Sequence, residues 1–93
     1  MKLYWEARKA GERLVLDPED GNLVEVGLVR RTPRGYDAMA KTNTYDPGRA
    51  QKGFGTIEEA KAFVEGFHPW DVFGGDMDME PEPEVRGLAD GYS

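Results

Sequence analysis

Asp76, Asp78 and Glu80 stand two residues apart, the spacing with which a calcium-binding loop begins. Such a loop needs glycine at its sixth position and glutamate at its twelfth; here Pro81 and Gly87 occupy those places. The three acids are therefore read as solvated carboxylates rather than metal ligands. His68 is the single histidine and the chain has no cysteine, so a thiolate nucleophile and a sulfur-built zinc site are excluded. A catalytic histidine needs a positioned partner. In the last turn of a helix, His68 more simply caps carbonyls or favours the dipole. "GFGT" (Gly53–Thr56) precedes a helix start and could face an anion, but it lacks the lysine and spacing of a phosphate loop. The sequence assigns no catalytic residue, metal or cofactor.

Two charged stretches remain as candidates for recognition. The fourteen residues Asp71–Glu84, "DVFGGDMDMEPEPE", hold six acids and no base. Carboxylates alternating with Trp70, Phe73, Met77 and Met79 make a surface that can adhere as well as repel. Such a surface suits a groove built for a phosphate backbone: carboxylates meet its Lys and Arg, and apolar side chains add buried area. The partner-binding candidates are Asp71, Asp76, Asp78, Glu80, Glu82, Glu84, Trp70 and Phe73. The plainer account is that the acids keep a small protein soluble. The second stretch is basic. Arg30, Arg31 and Arg34 cluster at a predicted hairpin tip, with Lys41 and Arg49 beyond it. A two-stranded ribbon fits a DNA major groove, and Tyr36 and Tyr45 could stack on bases. Its plainer account is a charged edge that discourages strand-to-strand aggregation.

The net charge of −6 is unevenly spread: residues 1–55 balance to +2 and residues 56–93 to −8. This asymmetry bears on partners and encounter rates. The acidic end opposes nucleic-acid binding unless it points away.

The elements that position these side chains can be read from periodicity. Leu3, Trp5 and Ala7 alternate with polar residues, a strand signal, although Glu6–Ala10 also suits a helical turn. Leu14-Val15-Leu16 is a short apolar run, and "DPEDGN" (Asp17–Asn22) is a turn. Leu23–Thr32 is the clearest strand, with Val24, Val26 and Leu28 on one face. "TPRG" turns into a second strand, in which Tyr36, Ala38 and Ala40 alternate. Asn43–Gly55 reads as a loop. Thr56-Ile57-Glu58-Glu59 has the form of a capping box. Ile57, Ala60, Phe63, Val64 and Phe67 then make one apolar helical stripe, ended by Gly66 or by His68-Pro69.

The predicted fold class is α+β: a small antiparallel sheet of two to three strands, one helix packed on its face, and an acidic C-terminal extension. The predicted division is one domain over 1–75 and an extension over 76–93. No run of about 18 apolar residues suggests a membrane span, and Met1–Glu6 lacks a signal-like stretch, so a cytoplasmic protein is expected. The oligomeric state is not legible.

The stretch "KGFGTIEEAKAFVE" (Lys52–Glu65), following a strand pair, resembles the strand–strand–helix ending of small phage and mobile-element proteins. It is similar to the helix opening of phage-integrase arm-binding domains, whose sheets read DNA. In the alternative reading of a nucleic-acid-binding module, Arg30, Arg31, Arg34, Lys41 and Arg49 contact phosphates. In size, acidity and lack of catalytic groups the chain resembles phage-encoded inhibitors such as anti-CRISPR proteins, some of which imitate DNA charge. This likeness implies a protein partner with a basic nucleic-acid-binding surface. Direct nucleic-acid binding is the alternative.

Overall fold

The computed structural model describes residues 1–44 and 46–87. Five strands form one antiparallel meander: β1 Lys2–Arg8, β2 Gly11–Asp17, β3 Val24–Thr32, β4 Gly35–Ala40 and β5 Ala50–Phe54. One helix, α1 (Ile57–Gly66), comes next, and then a 3-10 segment, Pro69–Phe73. The α+β class holds, but two to three strands does not: the sheet has five, in sequential order. Two causes account for the difference. The apolar run Leu14–Leu16 is a full strand paired along both sides. The predicted loop 43–55 contains β5, an exposed strand that pairs with β4 through Tyr36↔Phe54, Ala38↔Gln51 and Met39↔Ala50.

Short-range chemistry sets the turns. Asp17 and Asp20 accept the amides of Glu19 and Asn22 two residues on, at 2.7 and 2.9 Å. The Thr32 hydroxyl donates to the Gly35 carbonyl and accepts from the Arg34 amide, closing the β3–β4 hairpin. Asp46 caps a 3-10 turn, Pro47–Arg49, that leads into β5.

Alternate strand residues point to opposite faces. Leu3, Trp5, Leu14 and Leu16 share the face that α1 covers, together with Val29, Ala38 and Ala40. A register shift between Leu14 and Val15 places an extra residue in β3. Val26 and Val29 are both buried as a result, and Leu28 turns to the opposite face beside Met39. The expected Val24/Val26/Leu28 stripe is thereby corrected.

The helix starts as its sequence dictates. Thr56 accepts the Glu59 amide at 3.1 Å, and the Glu59 carboxylate accepts the Thr56 amide at 3.1 Å. Removing this reciprocal cap with Thr56→Ala is expected to cost about 1 kcal/mol in chemical denaturation. A loss below about 0.3 kcal/mol would show that packing alone fixes the helix start.

Ala60 and Val64 are buried on the inner face of α1, and Phe63 packs between Phe54 of β5 and Phe67, with ring centroids 5.3 and 5.1 Å apart. Two polar clamps hold the other side of α1. The Trp5 indole donates to Glu65 at 2.7 Å, and Lys61 pairs with Glu12 at 2.7 Å.

α1 ends at Gly66, before His68. His68 takes a left-handed conformation (φ 48°), donates its backbone amide to the Glu65 carbonyl at 3.0 Å at the end of α1, and starts the 3-10 segment. That turn drives Pro69 and Trp70 into the core. No described helix is long and apolar enough to cross a membrane.

Candidate functional site

The acidic segment is fastened to the body at two points. Trp70, only 1% exposed, donates its indole N–H to the Asp76 carbonyl at 2.9 Å. The Gly75 amide donates back to the Trp70 carbonyl at 2.8 Å. Farther along, the chain runs beside β1 in parallel. Glu82 N–H donates to the Leu3 carbonyl, Arg86 N–H to the Trp5 carbonyl, and Ala7 N–H to the Arg86 carbonyl, at 2.7–2.9 Å. These three bonds occupy the exposed edge of β1, which would otherwise offer unpaired backbone groups. The Arg86 guanidinium lies 3.7 Å from the centroid of the Tyr4 ring and pairs with Glu82 at 3.1 Å. Burial pushes the Tyr4 phenol above its ordinary pKa, against the lowering effect of the Arg86 charge.

The sequence-predicted site residues sort clearly. Asp71, Asp76, Asp78, Glu80 and Glu84 are exposed, and no described lysine or arginine pairs with any of them. Asp76 shapes the turn by accepting the Asp78 amide at 3.0 Å. Glu82 is the exception, spent on Arg86. Trp70 is a core residue rather than a half-exposed anchor, and Phe73 is half-buried against the same core. Met79 also packs inward, whereas Met77 stands 52% exposed between Asp76 and Asp78.

The basic candidates are dispersed. Arg30 lies on the uncovered sheet face, 3.7 Å from Asp37, and Lys41 pairs with Glu25 at 2.6 Å. Arg49 donates to the Ala40 and Lys41 carbonyls and lies over the Phe67 ring, a structural use of its guanidinium. Arg31 and Arg34 are exposed and make no ion pair among the described residues. Arg31 lies opposite Tyr36, on the helix-covered face, so the sheet does not gather the five into one patch. Tyr45 lies outside the described residues.

A ladder of charge crosses the uncovered face of the sheet. Arg13 bridges Glu6 at 2.7 Å and Glu25 at 3.9 Å, and Arg8 reaches Glu6 at 3.3 Å. Burial would raise the Glu6 pKa, but the hydrogen bonds and charges of Arg13 and Arg8 outweigh it and hold the carboxyl below its usual range.

Sequence reasoning missed Arg86, the residue that clips the segment to Tyr4. Its one available signal was its isolation, as the only base after Lys61. Among the described residues, no group of three or more His, Cys, Asp and Glu side chains converges as a metal site. No protein-family model matches the chain, and comparison with curated proteins and with solved structures returns no match.

Proposed function

We propose that this chain is a non-enzymatic binding protein that occupies a basic, nucleic-acid-binding surface of a partner protein. One observation carries the reading: five carboxylates, of Asp71, Asp76, Asp78, Glu80 and Glu84, stand exposed and unpaired among the described residues on a segment tied to the core. A charged surface held in place loses less conformational entropy on binding than a loose one. Its acids also steer a basic partner during encounter. Met77, exposed between Asp76 and Asp78, supplies the apolar contact that a purely solubilising run of acids would not need. The reading extends the likeness to phage inhibitors that imitate DNA charge, acting in the cytoplasm.

The test is displacement. A set of basic nucleic-acid-binding proteins is loaded with labelled duplex or single-stranded DNA, and the chain is titrated in. Displacement from at least one of them is expected. Changing all six acids of Asp71–Glu84 to their amides should weaken it by about 10-fold or more, and added salt should weaken the wild type similarly. Undiminished displacement by the amide variant would remove the proposal. So would retardation of free DNA by the chain itself that Arg30/Arg31/Arg34→Ala abolishes, since that result favours direct nucleic-acid binding.

A further inference from the structure

Among the described residues, no element covers the face of the sheet away from α1 at its β3–β5 side. The register places Leu28, Met39 and Ala50 side by side across three strands. They floor a trough of about 370 Å³ rimmed by Arg30, Lys52 and Asp37. Met39 is 39% exposed there. Arg34 and Lys52 border an adjoining hollow at the hairpin tip. Lys52 and Arg34 make no ion pair among the described residues, and Arg30 meets Asp37 only at 3.7 Å. The trough therefore combines an apolar floor with a net positive rim on a chain whose overall charge is −6.

Floor and rim together select the chemistry of an occupant. Single-stranded nucleic acid would stack its bases on aromatic platforms, and a duplex held through its phosphates would make no use of an apolar floor. The one aromatic side chain that the strand registers place on this face is Tyr4, which is covered by Arg86. An acidic polypeptide with interspersed apolar side chains fits better: carboxylates for Arg30, Lys52 and Arg34, and a flexible apolar chain for the Leu28–Met39–Ala50 floor. The chain itself presents such a segment in Asp76-Met77-Asp78, with Met77 exposed and both acids without ion pairs among the described residues. Within one copy, none of these acids pairs with the trough's bases. We propose that a second copy of the chain docks its Asp76–Asp78 segment in this trough, so that the protein self-associates through the acids it would offer a foreign partner. Closed, reciprocal pairing is the arrangement expected of such self-association. The inference stands apart from the displacement reading, because it asks nothing of a foreign protein.

Sedimentation of the full chain from micromolar to millimolar concentration, at low salt, reads the association. The mass is expected to rise toward that of a dimer and to fall back in high salt, with Kd rising by about 10-fold or more. The four methionines make methyl spectroscopy decisive. On concentration the methyl signals of Met39 and Met77 should move, and those of Met1 and Met79 should stay. A copy carrying Arg30→Glu and Lys52→Glu, and another carrying Asp76→Lys and Asp78→Lys, should each remain monomeric alone and pair when mixed. A monomer at every concentration in low salt overturns the proposal. So does association that leaves Met39 and Met77 unmoved, or reversed copies that associate as the wild type does. Should a reversed copy lose its fold, the wild-type methyl titration decides alone.

Discussion

Gly27→Val is expected to destabilise the protein by about 3 kcal/mol or more, and Gly27→Ala by about 1–3 kcal/mol. A Cβ at residue 27 would lie 2.5 Å from a Val64 methyl and 3.3 Å from the Leu14 Cβ. Carbon atoms in favourable contact sit about 3.5–4.0 Å apart, so the helix must lift or Val64 must leave its rotamer. Neither escape is open at low cost. Val64 has no exposed surface, and α1 is fastened beside it by Trp5–Glu65 and Lys61–Glu12, each at 2.7 Å. Lifting the helix would break both clamps and open Ala60 to water. For a domain of this size each lost kcal/mol lowers the midpoint of thermal unfolding by about 4–8 °C. The double variant Gly27→Ala/Val64→Ala separates sterics from any other effect. It restores space at the contact, so its loss should be smaller than the sum of the two single losses. A Gly27→Ala protein that melts with the wild type would mean that α1 does not rest on β3 at this point.

The residues that made the helix legible in the sequence are those that need only near neighbours. Thr56 and Glu59 bond to one another, and Ile57, Ala60 and Val64 repeat on one face, so cap and stripe were both readable. β3 and β4 were readable for a similar reason, since a tight turn joins them. β5 was not. "AQKGF" has no β-branched residue and is largely exposed; it becomes a strand because β4 offers it a ladder and Asp46 and Arg49 hold the turn before it. The register shift at Leu14/Val15 was equally hidden: a period of two put Leu28 with Val26, whereas the extra residue sends Leu28 to the open face. For the acidic segment, composition showed the charge but not its support. Arg86 meets Tyr4, and Glu82 meets Leu3, across almost the whole chain length, and no local pattern encodes such a pairing.

Trp70 joins the fold to the acidic surface, and Trp70→Ala should damage both. Its side chain is almost wholly buried, so truncation should cost about 3–5 kcal/mol in urea unfolding. The same change removes the indole N–H that holds the Asp76 carbonyl at 2.9 Å. Asp76 organises the turn through Met79, since its side chain accepts the Asp78 amide and its carbonyl also accepts the Met79 amide. Without the indole, Asp71–Glu80 keeps every carboxylate but loses its inner anchor, while the bonds of Glu82 and Arg86 to β1 remain. Displacement of nucleic acid from a basic partner should then weaken although no charge has changed, because ordering the segment becomes part of the cost of binding. Trp70→Phe separates the two contributions and guards against simple unfolding. It keeps most of the apolar volume while deleting the donor and a small part of the ring, an expected loss of about 1–3 kcal/mol. Hydrogen exchange at the Met79 amide should speed up in Trp70→Phe while exchange within β2 and β3 stays slow. Unchanged exchange at Met79 would place the anchor elsewhere, leaving the β1 contacts of Glu82 and Arg86 to hold the acidic segment by themselves.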